Sequence, residues 1–187
     1  MTAYVFLPGF GNSIGEHWQN QWFKKLPNSY WLEQEHWNEP ECTAWVACLQ
    51  SCVQNINEPI IFISHSLGCL TVVEWVEHDK SENHTQNIAK ISGAFMVAVP
   101  DPLNSNVPPS IRGYSKYPLT PLPFPSKMIA STNDPYCNVR RTEFFAKNWG
   151  SELEFIGAQG HINTSAGFGE WNEGLAILQQ WRKSQQI

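Results

Sequence analysis

No apolar run in the 187-residue chain approaches the roughly 20 residues that a membrane-spanning helix needs, so no membrane partner is expected. Basic clusters are missing too. With 12 Lys and Arg against 17 Asp and Glu, the formal net charge is -5, which argues against nucleic acid or an anionic membrane surface as a partner. Charged residues make up only 16% and hydrophobic ones 42%, which excludes both a disordered chain and a coiled coil. The five cysteines, Cys42, Cys48, Cys52, Cys69 and Cys137, are odd in number and include no Cys-x-x-Cys pair. Cys48 and Cys52 share a face of a predicted helix, but no histidine stands at a matching spacing. Buried, reduced thiols are expected, with no metal and no cofactor. Met1 to Leu7 is apolar without a basic residue and runs directly into Pro8-Gly9, so it reads as a strand and turn rather than a signal peptide, and a cytoplasmic location is expected.

What is present is an alternation of strands and helices. Ala3–Leu7 reads as a buried strand, Glu16–Leu26 as a helix with Trp18, Trp22, Phe23 and Leu26 at helical spacing, and Ser29–Leu32 as a short strand. Thr43 is a plausible N-cap for a helix carrying Val46, Leu49, Cys52, Val53 and Ile56. Pro59–Ser64 suits a strand buried on both faces. A helix over Leu67–Glu77 and a strand over Ala94–Val99 follow, then Lys127–Ser131 (strand), Asn138–Trp149 (helix), Leu153–Ile156 (strand) and a final helix near Glu170–Arg182. The pattern predicts an α/β fold of one domain, residues 1–187, with a mostly parallel central sheet and helices on both faces. Residues 101–125 interrupt it. They carry seven prolines and almost no helical periodicity, and read as a long functional loop whose Tyr114, Tyr117, Leu119, Leu122 and Phe124 are expected to offer an apolar underside to a substrate. Trp22, Trp45, Trp75 and Trp181 read as core, whereas Trp37 and Phe168, in loops, are candidates for a pocket wall.

In parallel sheets, ligands bind beyond the carboxyl ends of the strands. Three strand ends carry chemistry. Ser64-His65-Ser66-Leu67-Gly68 has the form of a nucleophile elbow, where crowded backbone demands small residues two before and two after the nucleophile. Gly68 meets this demand, and Ser64 is small enough to replace the usual glycine. Ser131-Thr132-Asn133-Asp134-Pro135 supplies an acid. The chain has only three aspartates, of which Asp79 reads as solvated, and Asp134 is preferred to Asp101 because serine, acid, histidine is the chain order of this architecture. Gly157-Ala158-Gln159-Gly160-His161 supplies a base, since an imidazole readily accepts and returns the serine proton. His17, His36, His65, His78 and His84 follow no late strand and are set aside. Oxyanion donors are expected from the N–H of Leu67 and, in the loop after the first strand, of Phe10, whose flanking glycines let its amide turn inward.

These motifs, together with Pro8-Gly9-Phe10-Gly11, Glu16-His17-Trp18, Trp149-Gly150-Ser151, Gly160-His161-Ile162-Asn163 and Gly167-Phe168-Gly169-Glu170-Trp171, resemble the small serine hydrolases related to retinoblastoma-binding protein nine, many of them bacterial. The resemblance spans essentially the whole chain. It implies an α/β-hydrolase fold without a helical cap domain, and Ser66, Asp134 and His161 as a catalytic triad. Two function classes follow. One is an esterase-like serine hydrolase that cleaves a small-molecule acyl substrate through an acyl-enzyme on Ser66. The other is a hydrolase-fold protein used mainly to bind a protein or ligand, and an intact triad favours the enzyme. A dehalogenase on the same scaffold needs an aspartate nucleophile, against which Ser66 argues. Acyl length, leaving group and oligomeric state are open at this level.

Overall fold

Among the described residues, all five strand pairings are parallel. In the computed structural model, which describes residues 1–82, 85–114 and 116–187, the sheet holds β1 (Ala3–Leu7), β2 (Ser29–Trp31), β3 (Ile60–His65), β4 (Ile91–Val97), β5 (Ser126–Ala130) and β6 (Glu152–Phe155), in the order β2-β1-β3-β4-β5-β6. The helices are α1 (Trp18–Lys25), α2 (Cys42–Asn55), α3 (Leu67–Ser81), a short α4 (Thr85–Ile88), α5 (Val139–Trp149) and α6 (Asn172–Gln185). This is an α/β-hydrolase architecture without a cap domain. His84 lies outside the described residues.

Two apolar layers flank the sheet. Val5, Leu7, Phe62 and Met96 face α2, α3 and α5, where Trp45, Trp75, Phe145 and Trp149 pack. Phe6, Ile61, Ile63 and Phe95 face α1 and α6, with Trp18, Trp22, Leu178 and Trp181. Successive strand residues thus enter opposite cores, which is why β1 and β3 read as unbroken apolar runs rather than as alternating ones. Trp22, Trp45, Trp75 and Trp181 are all core, as their spacing implies.

Several local expectations are corrected. Glu41, not Thr43, caps α2. Its carboxylate accepts from the Ala44 N–H at 2.9 Å and from the Thr43 hydroxyl, and a charged oxygen is a stronger acceptor for the helix N-terminus than a hydroxyl. Helix α3 runs past Glu77 to Ser81, so that Asp79 is fully buried and accepts from Asn87 Nδ2 at 3.1 Å rather than facing solvent. Cys48 and Cys52 are only half-buried, while Cys42, Cys69 and Cys137 are buried, and all five are free thiols.

The proline-rich segment between β4 and β5 is pinned at many points. Arg112 N–H donates to Pro40 O, Leu122 N–H to Trp149 O, and Trp149 Nε1–H to Pro118 O. Tyr114, Tyr117, Leu122 and Phe124 pack into or against the α3-side core, with the Tyr114 hydroxyl bonded to Thr71 Oγ1 at 2.9 Å. They do not form the pocket wall expected of them. A large apolar ring on a long loop gains most by entering the nearest core, and here that core is the sheet face.

Candidate active site

The strand ends of β3, β5 and β6 bring Ser66, Asp134 and His161 together. Ser66 sits between β3 and α3 at φ 53°, ψ -125°, a strained conformation for a residue with a side chain, which lifts its hydroxyl clear of the sheet. Its neighbours explain how the turn closes. A Cβ on Gly68 would lie 2.2 Å from the Leu7 carbonyl oxygen, so only glycine fits there. Ser64, fully buried, is accommodated because its hydroxyl donates to Cys69 Sγ at 3.2 Å.

Ser66 Oγ is 2.8 Å from His161 Nε2, and His161 Nδ1 is 2.8 Å from Asp134 Oδ2. The carboxylate accepts only, so Nδ1 carries the ring proton and Nε2 is left to accept from the serine hydroxyl. The other carboxylate oxygen, Oδ1, accepts from the Tyr136 N–H at 2.9 Å, which fixes the orientation of Asp134. Asp101 is engaged elsewhere, by Arg141 Nε at 2.7 Å.

The two amides expected to serve as oxyanion donors are unpaired: the N–H groups of Leu67 and Phe10 donate to no protein acceptor among the described residues. Gly9 lies against the elbow so closely that a Cβ there would be 2.8 Å from Ser66 Cβ and 3.1 Å from Leu67 N. The loop after β1 is therefore held against Ser66 by the absence of a side chain.

Sequence reasoning passed over the residues that hold the histidine. The loop after β6 is fastened from three directions. Trp18 Nε1–H donates to Ile162 O at 3.0 Å, Gly160 N–H to Asn133 Oδ1 at 2.7 Å, and Gln159 N–H to Ser131 Oγ at 2.8 Å. His65 Nε2–H donates to the main-chain oxygen of His161 itself, at 3.0 Å. His17 and His65, set aside above, thus belong to the site. Their rings lie 4.8 Å apart, and His65 lies 5.0 Å from His161. Burial, then the charge of His161, lowers the His17 pKa to about 4. Burial, then His17 and His161, holds His65 well below the usual imidazole range. Both therefore stay neutral near pH 7 and place no positive charge beside His161.

Ser66 and His161 open onto a cavity of about 360 Å³. Leu70, Pro102, Val107 and Ile111 give it an apolar side, and Asn12, Ser13, Thr164 and Ser165 a polar one. Trp37 and Phe168 are not in its wall; Trp37 packs on Trp45 and Phe168 on Trp171. Among the described residues no group of His, Cys, Asp and Glu side chains is placed to hold a metal ion, and no helix is long and apolar enough to cross a membrane.

A family model described as serine hydrolase matches residues 4–180. No curated protein matches the chain in sequence. Among solved structures, a YdeN-like hydrolase of Pectobacterium atrosepticum is 30% identical, with a TM-score of 0.82 over 98% of this chain and 92% of that one. The ydeN gene product of B. subtilis is 18% identical, with a TM-score of 0.74 over 97% and 98% of the two chains. Esterase 2 of Thermogutta terrifontis is 13% identical, with a TM-score of 0.71 over 98% and 83%. These last two share the fold.

Proposed function

The chain belongs to the serine hydrolase family, and from that premise we propose that it is a carboxylesterase-like enzyme that cleaves a small acyl ester, with Ser66 as nucleophile, His161 as general base and acid, and Asp134 orienting the imidazole. The observation that carries this reading is the unbroken hydrogen-bond chain Asp134–His161–Ser66 at a cavity of about 360 Å³, a size suited to a small ligand.

In this reading, Ser66 Oγ attacks the acyl carbonyl carbon as its proton passes to His161 Nε2. The carbonyl oxygen becomes an oxyanion facing the free amides of Leu67 and Phe10. Asp134 remains ionised and stabilises the imidazolium through Nδ1–H. The carbon–oxygen bond to the alcohol then breaks, the departing oxygen takes the proton from Nε2, and the acyl group stays on Ser66. Water, deprotonated by the same nitrogen, attacks the acyl-enzyme and releases the acid, and the proton returns to Ser66. The apolar side formed by Leu70, Val107 and Ile111 suits a hydrocarbon acyl chain.

A panel of p-nitrophenyl esters of rising chain length tests the reading, run beside Ser66→Ala and a fluorophosphonate probe. The wild type should hydrolyse the shorter esters and be labelled at Ser66. Ser66→Ala should stay folded, resist labelling and lose roughly 10⁴-fold or more in rate, because the three residues act as a unit. A folded Ser66→Ala variant with wild-type rates overturns the assignment. A wild type that neither reacts with the probe nor cleaves any ester favours the binding-protein reading instead.

A further inference from the structure

Part of the apolar side of the cavity is built on a stretch of chain with few means of holding itself in place. Pro102, Val107 and Pro108 line the cavity, all within the loop that follows β4. Pro102, Pro108 and Pro109 have no backbone N–H to give to a neighbour. Packing adds little, since Leu103, the one large apolar side chain between Pro102 and Val107, is 65% exposed. The backbone bonds made here are local. Asn104 N–H donates to Asp101 O at 2.9 Å and Val107 N–H to Asn104 O at 3.0 Å, which shapes two consecutive turns without fastening them to anything else.

Two side chains do the fastening. Asn104 Nδ2–H donates to Pro135 O at 3.1 Å, and Asn106 Nδ2–H to the same oxygen at 2.8 Å. A carbonyl oxygen has two lone pairs and accepts both. Asn104 Oδ1 accepts from the Asn106 N–H at 2.9 Å, so the two amides are held as a pair. Among the described residues, 102–109 make no other hydrogen bond to a distant part of the chain. The anchor itself belongs to the site. Pro135 lies between Asp134, whose Oδ1 accepts from the Tyr136 N–H at 2.9 Å, and Tyr136, whose ring centroid is 4.6 Å from that of His161 and which lines the same cavity. The wall is thereby tied to the turn that presents Asp134.

We propose that Asn104 and Asn106 are positioning residues that set acyl selectivity: by clamping the Pro135 oxygen they fix where Pro102 and Val107 stand, and so the width open to the acyl group. The preferred substrates are then esters of unbranched acyl groups. The inference rests on the esterase reading above and goes beyond it by naming what limits the acyl group and which residues impose the limit.

Two esters test it, p-nitrophenyl pentanoate and p-nitrophenyl 4,4-dimethylpentanoate, which are equal in reach but differ in breadth at a carbon remote from the carbonyl. In the wild type, kcat/KM should favour the pentanoate by about tenfold or more, because a fixed apolar wall resists overpacking. The double variant Asn104→Asp with Asn106→Asp keeps the shape of both side chains, and the acceptor for the residue 106 N–H, but sets carboxylate oxygens against the Pro135 oxygen in place of donors. Its preference should fall at least about fivefold, with the preference, not the rate on p-nitrophenyl acetate, taking the larger change. Each single variant should move the preference in the same direction by about twofold, which serves as the test should the double variant not fold. Ser105→Ala, exposed in the middle of the stretch, should keep the wild-type preference. A wild type without preference, or Asp variants that keep it, overturns the inference and leaves the esterase reading intact. So does a double variant that loses acetate and pentanoate hydrolysis equally with its preference unchanged. A wild type that cleaves no ester overturns the esterase reading, and this inference with it.

Discussion

His65 Nε2–H donates to the main-chain oxygen of His161 over 3.0 Å, so the residue just before Ser66 clasps the loop that presents His161. The elbow and the histidine loop are otherwise separate pieces of chain. This bond joins the fastenings from Trp18, Ser131 and Asn133 in holding the loop where Ser66 and His161 meet at 2.8 Å.

His65 therefore acts as a positioning residue. His65→Phe should lower kcat by about 10- to 100-fold with little change in KM, because small displacements of a catalytic base are costly. His65→Gln, whose amide donates from nearly the same place, should recover much of the loss. Steady-state kinetics on one p-nitrophenyl ester checks both; equal losses in the two variants would reduce His65 to a space-filling role.

The two strand-end aspartates should separate activity from stability. Asp134→Asn should cost roughly 10⁴-fold in kcat by favouring the wrong histidine tautomer. Asp101→Asn should retain activity but lower stability by about 1–2 kcal/mol, since it weakens the partly buried pair with Arg141. Urea unfolding and ester hydrolysis on both variants decide the matter. An inactive Asp101 variant beside an active Asp134 variant would reverse the assignment.

Acid should destabilise the fold through His17. Its native pKa, lowered mainly by burial, is about 4, against 6.5 for an unperturbed histidine. Between those values the unfolded chain binds a proton that the native state refuses, so stability falls as pH drops from about 6.5 and levels off below about 4, with a total of roughly 3 kcal/mol. Glu74 works in the opposite direction. Burial raises its pKa to about 7, so its penalty grows as pH rises. The clean measurement is therefore a difference: the pH dependence of the thermal midpoint in His17→Asn should be flatter than in the wild type over that window. Parallel curves would show that His17 is as easily protonated in the native state as in the unfolded chain.

Chain-length selectivity should respond to Val107 and Ile111, not to Tyr114. Val107→Phe or Ile111→Phe narrows the apolar side of the cavity and should shift the preferred acyl chain downward while Ser66 still reacts with a small probe. Tyr114→Phe removes the bond to Thr71 in the core and should cost about 1 kcal/mol with the chain-length profile unchanged. The ester panel and thermal melts separate these outcomes.

How far the primary structure could be read depended on distance along the chain. The runs at Ala3–Leu7 and Ile60–His65, the helical spacing of Trp18 and Trp22, and the small residues around Ser66 are all local signals. They encode the parallel sheet, the elbow and the chain order of Ser66, Asp134 and His161. Helix caps were less legible, because Glu41 and Thr43 both offer oxygen to the same helix end and only packed geometry ranks them.

Tertiary structure decided the rest. His161 meets partners 27 and 95 positions away, and nothing local specifies which aspartate will be facing it. Asp101 is paired instead with Arg141, on α5. Val107 and Ile111 line the cavity while Tyr114, from the same loop, is drawn into the core, since a buried ring gains more than one left at the mouth. His17 and His65 join the site because the β1 and β3 ends are neighbours in the sheet, an adjacency set by strand pairing across intervening helices. Local sequence thus determined the elements and the chemistry carried at each strand end. Which of those groups meet was decided by how the loops pack along one edge of the sheet.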